Sequence, residues 1–163
     1  MHAVVIAGPK RSGKTALAAL VAEALERFGK RVAIVKYSSR ALDRGNTDAF
    51  WLMRPGRVVV NASPKETAVF WPEERAFEDL IAHLGVDVVI CEGGDVPAYV
   101  PRIFCCHEDA EEEDCFSGNV SFSILATYGS GEALPGIPHF VELSPVAVET
   151  LASLILEKGE VKA

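Results

Sequence analysis

Eight residues near the start of the chain have the types and spacing to hold a row of phosphates. Gly8-Pro9-Lys10-Arg11-Ser12-Gly13-Lys14-Thr15 places glycine first and sixth, then lysine, then a hydroxyl residue. This is the G-x-x-x-x-G-K-[ST] pattern. Each part has a physical reason. The glycines let the backbone curl so that its N–H groups point inward at anionic oxygens. A helix starting at the end of the loop adds the positive end of its dipole, and the Ala16 N–H belongs to that first turn. Lys14 is placed to reach the β- and γ-phosphates as a cation, and the Thr15 hydroxyl to bind Mg²⁺. Lys10 and Arg11 add local positive charge.

Such a loop needs a carboxylate at the end of a neighbouring strand. Val88-Val89-Ile90-Cys91-Glu92 offers Glu92, followed by Gly93-Gly94. The carboxyl edge of an open α/β sheet is where ligands bind, so Glu92 is expected to hold Mg²⁺ or position a water. Asp48 follows the loop after the second strand and is a further carboxylate candidate for the same roles. Lys36 ends that second strand on the same edge and could meet an anion. Arg40, Arg44 and Arg54 surround the same loop and are also candidates for an anionic ligand.

The elements that must position these residues are legible from hydrophobic pattern. Ala3 to Ala7 is a continuous apolar run ending at Gly8, as in a strand buried on both faces. Leu17, Leu20, Val21, Leu25 and Phe28 recur at helical spacing, and Gly29 is a natural stop. Val32 to Val35 is a second buried strand, which completes a βαβ unit. A short helix is expected over Asp48 to Arg54. Val58–Val60 and Thr67–Phe70 are short strands joined through Ser63-Pro64, as in a hairpin. A helix is expected from Pro72 to Leu84, with Pro and two acids in its first turn. Val86 to Cys91 and Arg102 to Cys106 read as strands, Phe122 to Ala126 as another, and Ser144-Pro145 opens a last helix to about Glu157. The expected architecture is a single α/β domain over residues 1–163: a three-layer P-loop NTPase fold with a mainly parallel sheet flanked by helices, a small hairpin extension, and an acidic loop at about 107–119.

Composition narrows the partners. The 163 residues carry a net charge of −7, with 49% apolar and 24% charged residues. That balance argues against DNA, RNA or an anionic membrane as main partner. It leaves room for one local anion site, because Glu108 to Asp114 alone holds six acids. No stretch approaches the roughly 20 apolar residues of a spanning helix, and no signal-peptide pattern is visible, so a cytoplasmic protein is expected. The four cysteines do not form a disulfide framework. Cys105-Cys106-His107 and Cys115 fit no common zinc or iron–sulfur spacing, and adjacent cysteines on a strand face opposite ways.

Four features in chain order resemble molybdopterin-guanine dinucleotide biosynthesis protein B, the MobB family. They are the loop Gly8 to Thr15; Lys36 with a polar stretch leading to Asp48 and Arg54-Pro55-Gly56; Val88-Val89-Ile90-Cys91-Glu92-Gly93; and Pro101-Arg102-Ile103. The likeness spans about residues 1–105. The chain departs from the family pattern at Tyr37, where the family has His. It also departs at Met53 for Arg, near Asp95 for Lys, and at Tyr128 for Asp. The resemblance implies a homodimeric, Mg²⁺-dependent, GTP-binding protein that hydrolyses GTP weakly. Its partner would be the guanylyltransferase that joins GMP to molybdopterin. Guanine preference comes from this likeness alone, because no N-K-x-D base-reading motif is present; ATP is the other nucleotide the loop admits. Two rival readings use the same loop: a small-molecule kinase, against which the acidic residues 107–119 count, and a non-catalytic scaffold stabilised by nucleotide.

Overall fold

The computed structural model describes residues 1–37, 52, 55, 57–94, 96–106 and 123–161. In chain order the elements are β1 (His2–Ala7), α1 (Lys14–Arg27), β2 (Val32–Lys36), β3 (Val59–Ala62), β4 (Thr67–Phe70), α2 (Phe77–Leu84), β5 (Val88–Glu92), β6 (Arg102–Cys106), β7 (Ile124–Gly129), β8 (His139–Phe140) and α3 (Pro145–Lys158). They fall in two compact units, Met1–Tyr37 with Leu84–Ala163, and Ser38–His83. The expected helix at Asp48 to Arg54 and the acidic loop lie outside the described residues, apart from Leu52.

The first unit holds a six-stranded sheet in the order β2-β5-β1-β6-β7-β8, and every pairing in it is parallel. The α/β class with a mainly parallel sheet and flanking helices is therefore as the pattern predicts. β5 comes late in the chain yet fills the slot between β1 and β2. Its run of apolar residues explains why: Val88, Val89, Ile90 and Cys91 are all fully buried, as the interior of a parallel sheet requires. From α1, Leu17, Val21 and Leu25, and from α3, Val148, Leu151 and Ile155, join Val4, Ile6, Val88, Ile90 and Ile103 in one core. Each fully buried Leu or Ile contributes about 2 kcal/mol. Ala3, Val5, Val89 and Cys91, which alternate with these along β1 and β5, are buried as well.

Helix ends follow their capping residues. Past α1, Gly29 takes φ +74°. The Lys30 N–H then reaches back to the Leu25 carbonyl at 3.1 Å, which closes the last turn. α3 begins at Ser144, whose Oγ accepts from the Ala147 N–H at 3.2 Å. β8 is a two-residue strand that pattern reading misses, because two residues carry no periodicity. β7 begins at Ile124 and runs on to Gly129, a little later than expected.

In the second unit β3 and β4 form the expected antiparallel hairpin, with Ala62 opposite Thr67. Ser63 shapes the turn: its Oγ accepts from the N–H groups of Lys65 and Glu66. The helix expected from Pro72 begins only at Phe77. Residues 72–76 are instead irregular, with the Arg75 guanidinium 5.8 Å from the Trp71 ring centre and 3.8 Å from Glu73. The acids of the first helical turn are Glu78 and Asp79 rather than Glu73 and Glu74.

Candidate functional site

The phosphate-loop sequence folds as a tight connection between β1 and α1. Gly8 has φ +136°, and a Cβ there would lie 2.3 Å from the Cys105 carbonyl oxygen on neighbouring β6, so only glycine fits. Gly13 takes φ +86° at the N-cap of α1 and offers no side-chain cap. Arg11 adopts the left-handed region at φ +63°, an uncommon conformation for a residue with a side chain. The first N–H groups of α1 thus have neither an intrahelical partner nor a capping side chain. α1 also has no acid in its first turn, whereas α3 has its serine cap. An open concavity of about 300 Å³ lies here, lined by Arg11, Ser12, Gly13, Lys14, Thr15, Ala16 and Glu92.

The side chains around it form one polar cluster. Lys14 Nζ donates to the Gly8 carbonyl at 3.0 Å and also to the Pro9 carbonyl, so the ammonium is wrapped by its own loop. Thr15 Oγ1 donates to Glu92 Oε1 at 2.8 Å. Lys36 Nζ lies 3.2 Å from Glu92 Oε1 and 3.4 Å from Thr15 Oγ1. Parallel register produces this meeting, since Glu92 on β5 is opposite Ile6 on β1 and Lys36 on β2. The Glu92 side chain is 11% exposed and that of Lys36 60%. Ser12 is buried, and its Oγ lies beside Gly8 and within reach of the Cys105 thiol, a weak partner. A hydroxyl so placed on the concavity can donate to an anion.

Of the candidate residues, Gly8, Pro9, Arg11, Ser12, Gly13, Lys14, Thr15, Ala16, Lys36 and Glu92 come together at one end of the sheet. Lys10 is exposed on the loop and does not line the concavity. Asp48, Arg40, Arg44 and Arg54 lie outside the described residues. The donor set suits Mg²⁺: one hydroxyl and one carboxylate, hard oxygens few enough to leave most positions to water and phosphate. Among the described residues no group of three or more His, Cys, Asp or Glu side chains could hold a metal by itself. Cys105 and Cys106 do face opposite ways, into separate apolar clusters; His107 and Cys115 lie outside the described residues.

Two neighbours of the loop and one of the turn after Glu92 have no signal in the motif. Cys105 supplies the carbonyl beneath Gly8. The Tyr128 ring, at the end of β7, comes within 3.4 Å of where a Cβ on Gly13 would lie. Tyr37 packs on Gly94, where a Cβ would fall 2.2 Å from the ring. Only strand adjacency reveals the first two, while the Gly93-Gly94 pair was a visible hint of a close approach at the third. Burial pushes the Cys105 thiol up to about 12, and Cys91 likewise.

The chain resembles known proteins along most of its length. The family profile of molybdopterin guanine dinucleotide synthesis protein B (MobB) matches residues 3–127. Among solved structures, MobB of Bacillus subtilis superposes with a TM-score of 0.75 at 20% identity, covering 98% of this chain and 100% of that one. A molybdopterin-guanine biosynthesis protein B gives 0.64 at 27% identity, covering 95% and 97%. A MobB homologue from Bacillus stearothermophilus gives 0.63 at 21% identity, covering 96% and 97%. A comparison with curated proteins returns no match.

Proposed function

The chain belongs to the molybdopterin guanine dinucleotide synthesis protein B family, and from that premise we propose that it binds GTP with Mg²⁺ and hydrolyses it slowly while assisting molybdenum cofactor synthesis. Family membership supports the accessory role in that pathway. The observation that supports the nucleotide is the uncapped start of α1, set beside a loop-bound Lys14 and a Thr15–Glu92 pair at 2.8 Å. In this reading the loop N–H groups and Ser12 hold phosphate oxygens, and Lys14 turns from the Gly8 and Pro9 carbonyls to the β- and γ-phosphates. Thr15 and Glu92 would hold the metal, and Glu92 would orient an attacking water. Mg²⁺, when bound, neutralises charge on the phosphates. Asp48 is a further carboxylate for this site on sequence grounds.

Guanine preference, a homodimer and a guanylyltransferase partner are carried by the family alone. A cytoplasmic setting suits three buried cysteines outside any disulfide. Among the described residues no helix is long and apolar enough to cross a membrane. The whole chain then acts as one nucleotide-binding domain into which residues 38–83 are inserted.

Nucleotide titration tests the proposal. GTP with Mg²⁺ should raise the melting temperature in a concentration-dependent way, and more than ATP does. Lys14→Ala should weaken nucleotide binding roughly 100-fold, by loss of charge-assisted bonds. Unchanged affinity in that variant would remove the phosphate-loop assignment. Phosphate transfer to a small-molecule acceptor would favour a kinase, and saturable binding without turnover would favour a scaffold.

A further inference from the structure

We propose that Lys36 is a built-in cation at the magnesium seat, which lets the protein hold nucleotide when divalent metal is scarce and moves aside when metal enters. The inference rests on the nucleotide-binding reading above and adds a specific role for one residue of that site. Its basis is a three-way contact. One ammonium lies 3.2 Å from Glu92 Oε1 and 3.4 Å from Thr15 Oγ1, the two oxygens that would meet the metal. A divalent ion bound to Thr15 Oγ1 at about 2.1 Å would stand within about 5.5 Å of Nζ in this position. Two such cations repel, so the ammonium must yield its place or give up its contacts.

The two partners are built differently. Glu92 is the fixed member: its side chain is 11% exposed at the end of an interior strand, and a carboxylate so placed requires a counter-charge. Lys36 ends β2, at one edge of the sheet. With 60% of its side chain exposed, its long stem can swing without burying the charge elsewhere. Lys14 is placed differently: its ammonium donates to the Gly8 and Pro9 carbonyls of its own loop, while Lys36 lies on the Thr15 and Glu92 oxygens. Nucleotide phosphates arriving beside α1 would therefore meet a cation at the metal seat already.

Equilibrium binding of GTP to the full chain, in excess EDTA and again in millimolar Mg²⁺, tests this with a readout independent of turnover. The quantity read is the ratio of the two dissociation constants. In the wild type the ratio should be small. In Lys36→Met, which keeps length and loses charge, it should rise about tenfold through weaker binding in EDTA, while Lys36→Arg should keep the wild-type ratio. Melting curves without nucleotide should show all three folded, with Lys36→Met melting somewhat lower because Glu92 loses its counter-charge. A wild-type ratio in Lys36→Met, or a Lys36→Arg ratio as large as that of Lys36→Met, overturns the role of Lys36. Lys14→Ala separates this failure from a wrong site: if that variant binds like the wild type, or the wild type binds no nucleotide in either condition, the phosphate-loop reading fails and the proposal with it.

Discussion

Cys91, Cys105 and Cys106 lie in the strands that carry the site, and all three are buried and outside any disulfide. Desolvation disfavours the thiolates of Cys91 and Cys105 and holds these two at about 12 against an ordinary 9.0. Three pH units leave about a thousandfold less thiolate at neutral pH, and the thiolate is the reactive form. Alkylation of the native protein followed by mass spectrometry should therefore leave Cys91 and Cys105 unmodified, with rapid labelling only in denaturant. The same shift makes alkaline conditions unfavourable. Above about pH 9 the unfolded chain releases protons that the folded chain retains, so stability falls as pH rises. At this scale the sequence was informative where chemistry demands a residue type. Gly8, Gly13, Lys14 and Thr15 announce themselves by spacing, and Glu92 by ending an apolar run. Why Gly8 must be glycine was not legible, since the Cys105 carbonyl that excludes a Cβ lies 97 residues away in sequence.

Two helices of the first unit start in opposite ways. α3 has Ser144 to satisfy an N–H, followed by Pro145 at its first position. α1 has Gly13 and no side-chain cap, which leaves its N–H groups facing the concavity. Ser144→Ala should lower stability by about 1 kcal/mol in denaturant titration, with nucleotide affinity unchanged, because the cap is structural. Element type was readable for the long periodic segments: β1, α1, β5, β6 and α3 follow their apolar patterns, whereas β2 forms where expected but is not the buried strand its run suggests, because it lies at the sheet edge and Ile34 is 48% exposed. The helix expected from Pro72 shows where such reading stops. Pro72, Glu73 and Glu74 are good first-turn residues, yet the contact of Arg75 with Trp71 and Glu73 occupies that stretch and the helix starts at Phe77.

At the scale of the whole molecule, β2 and β5 enter the sheet side by side, held at their starts by Arg31 and Asp87. Arg31 donates to Asp87 from its backbone N–H at 2.8 Å and from its guanidinium at 3.0 and 3.2 Å. These hydrogen bonds hold the Asp87 carboxyl at about 2, below an ordinary 3.8. A folded-state value below the unfolded one means stability present above about pH 4 and lost as pH falls towards 2. Acid unfolding should show this loss in the wild type, and Asp87→Asn should flatten that part of the profile; an unchanged profile would mean the clasp does not matter. The far ends of the same two strands carry Lys36 and Glu92, in register. By itself the sequence determined the loop motif and the α/β class, and it singled out Glu92 at the end of an apolar run, because each depends on local residue type and on periodicity. Only the tertiary structure decided that β5 lies between β1 and β2, and so that Lys36, Glu92 and Thr15 share one cluster. Strand order is set by which buried surfaces pack together across long sequence separations, and no local pattern encodes it.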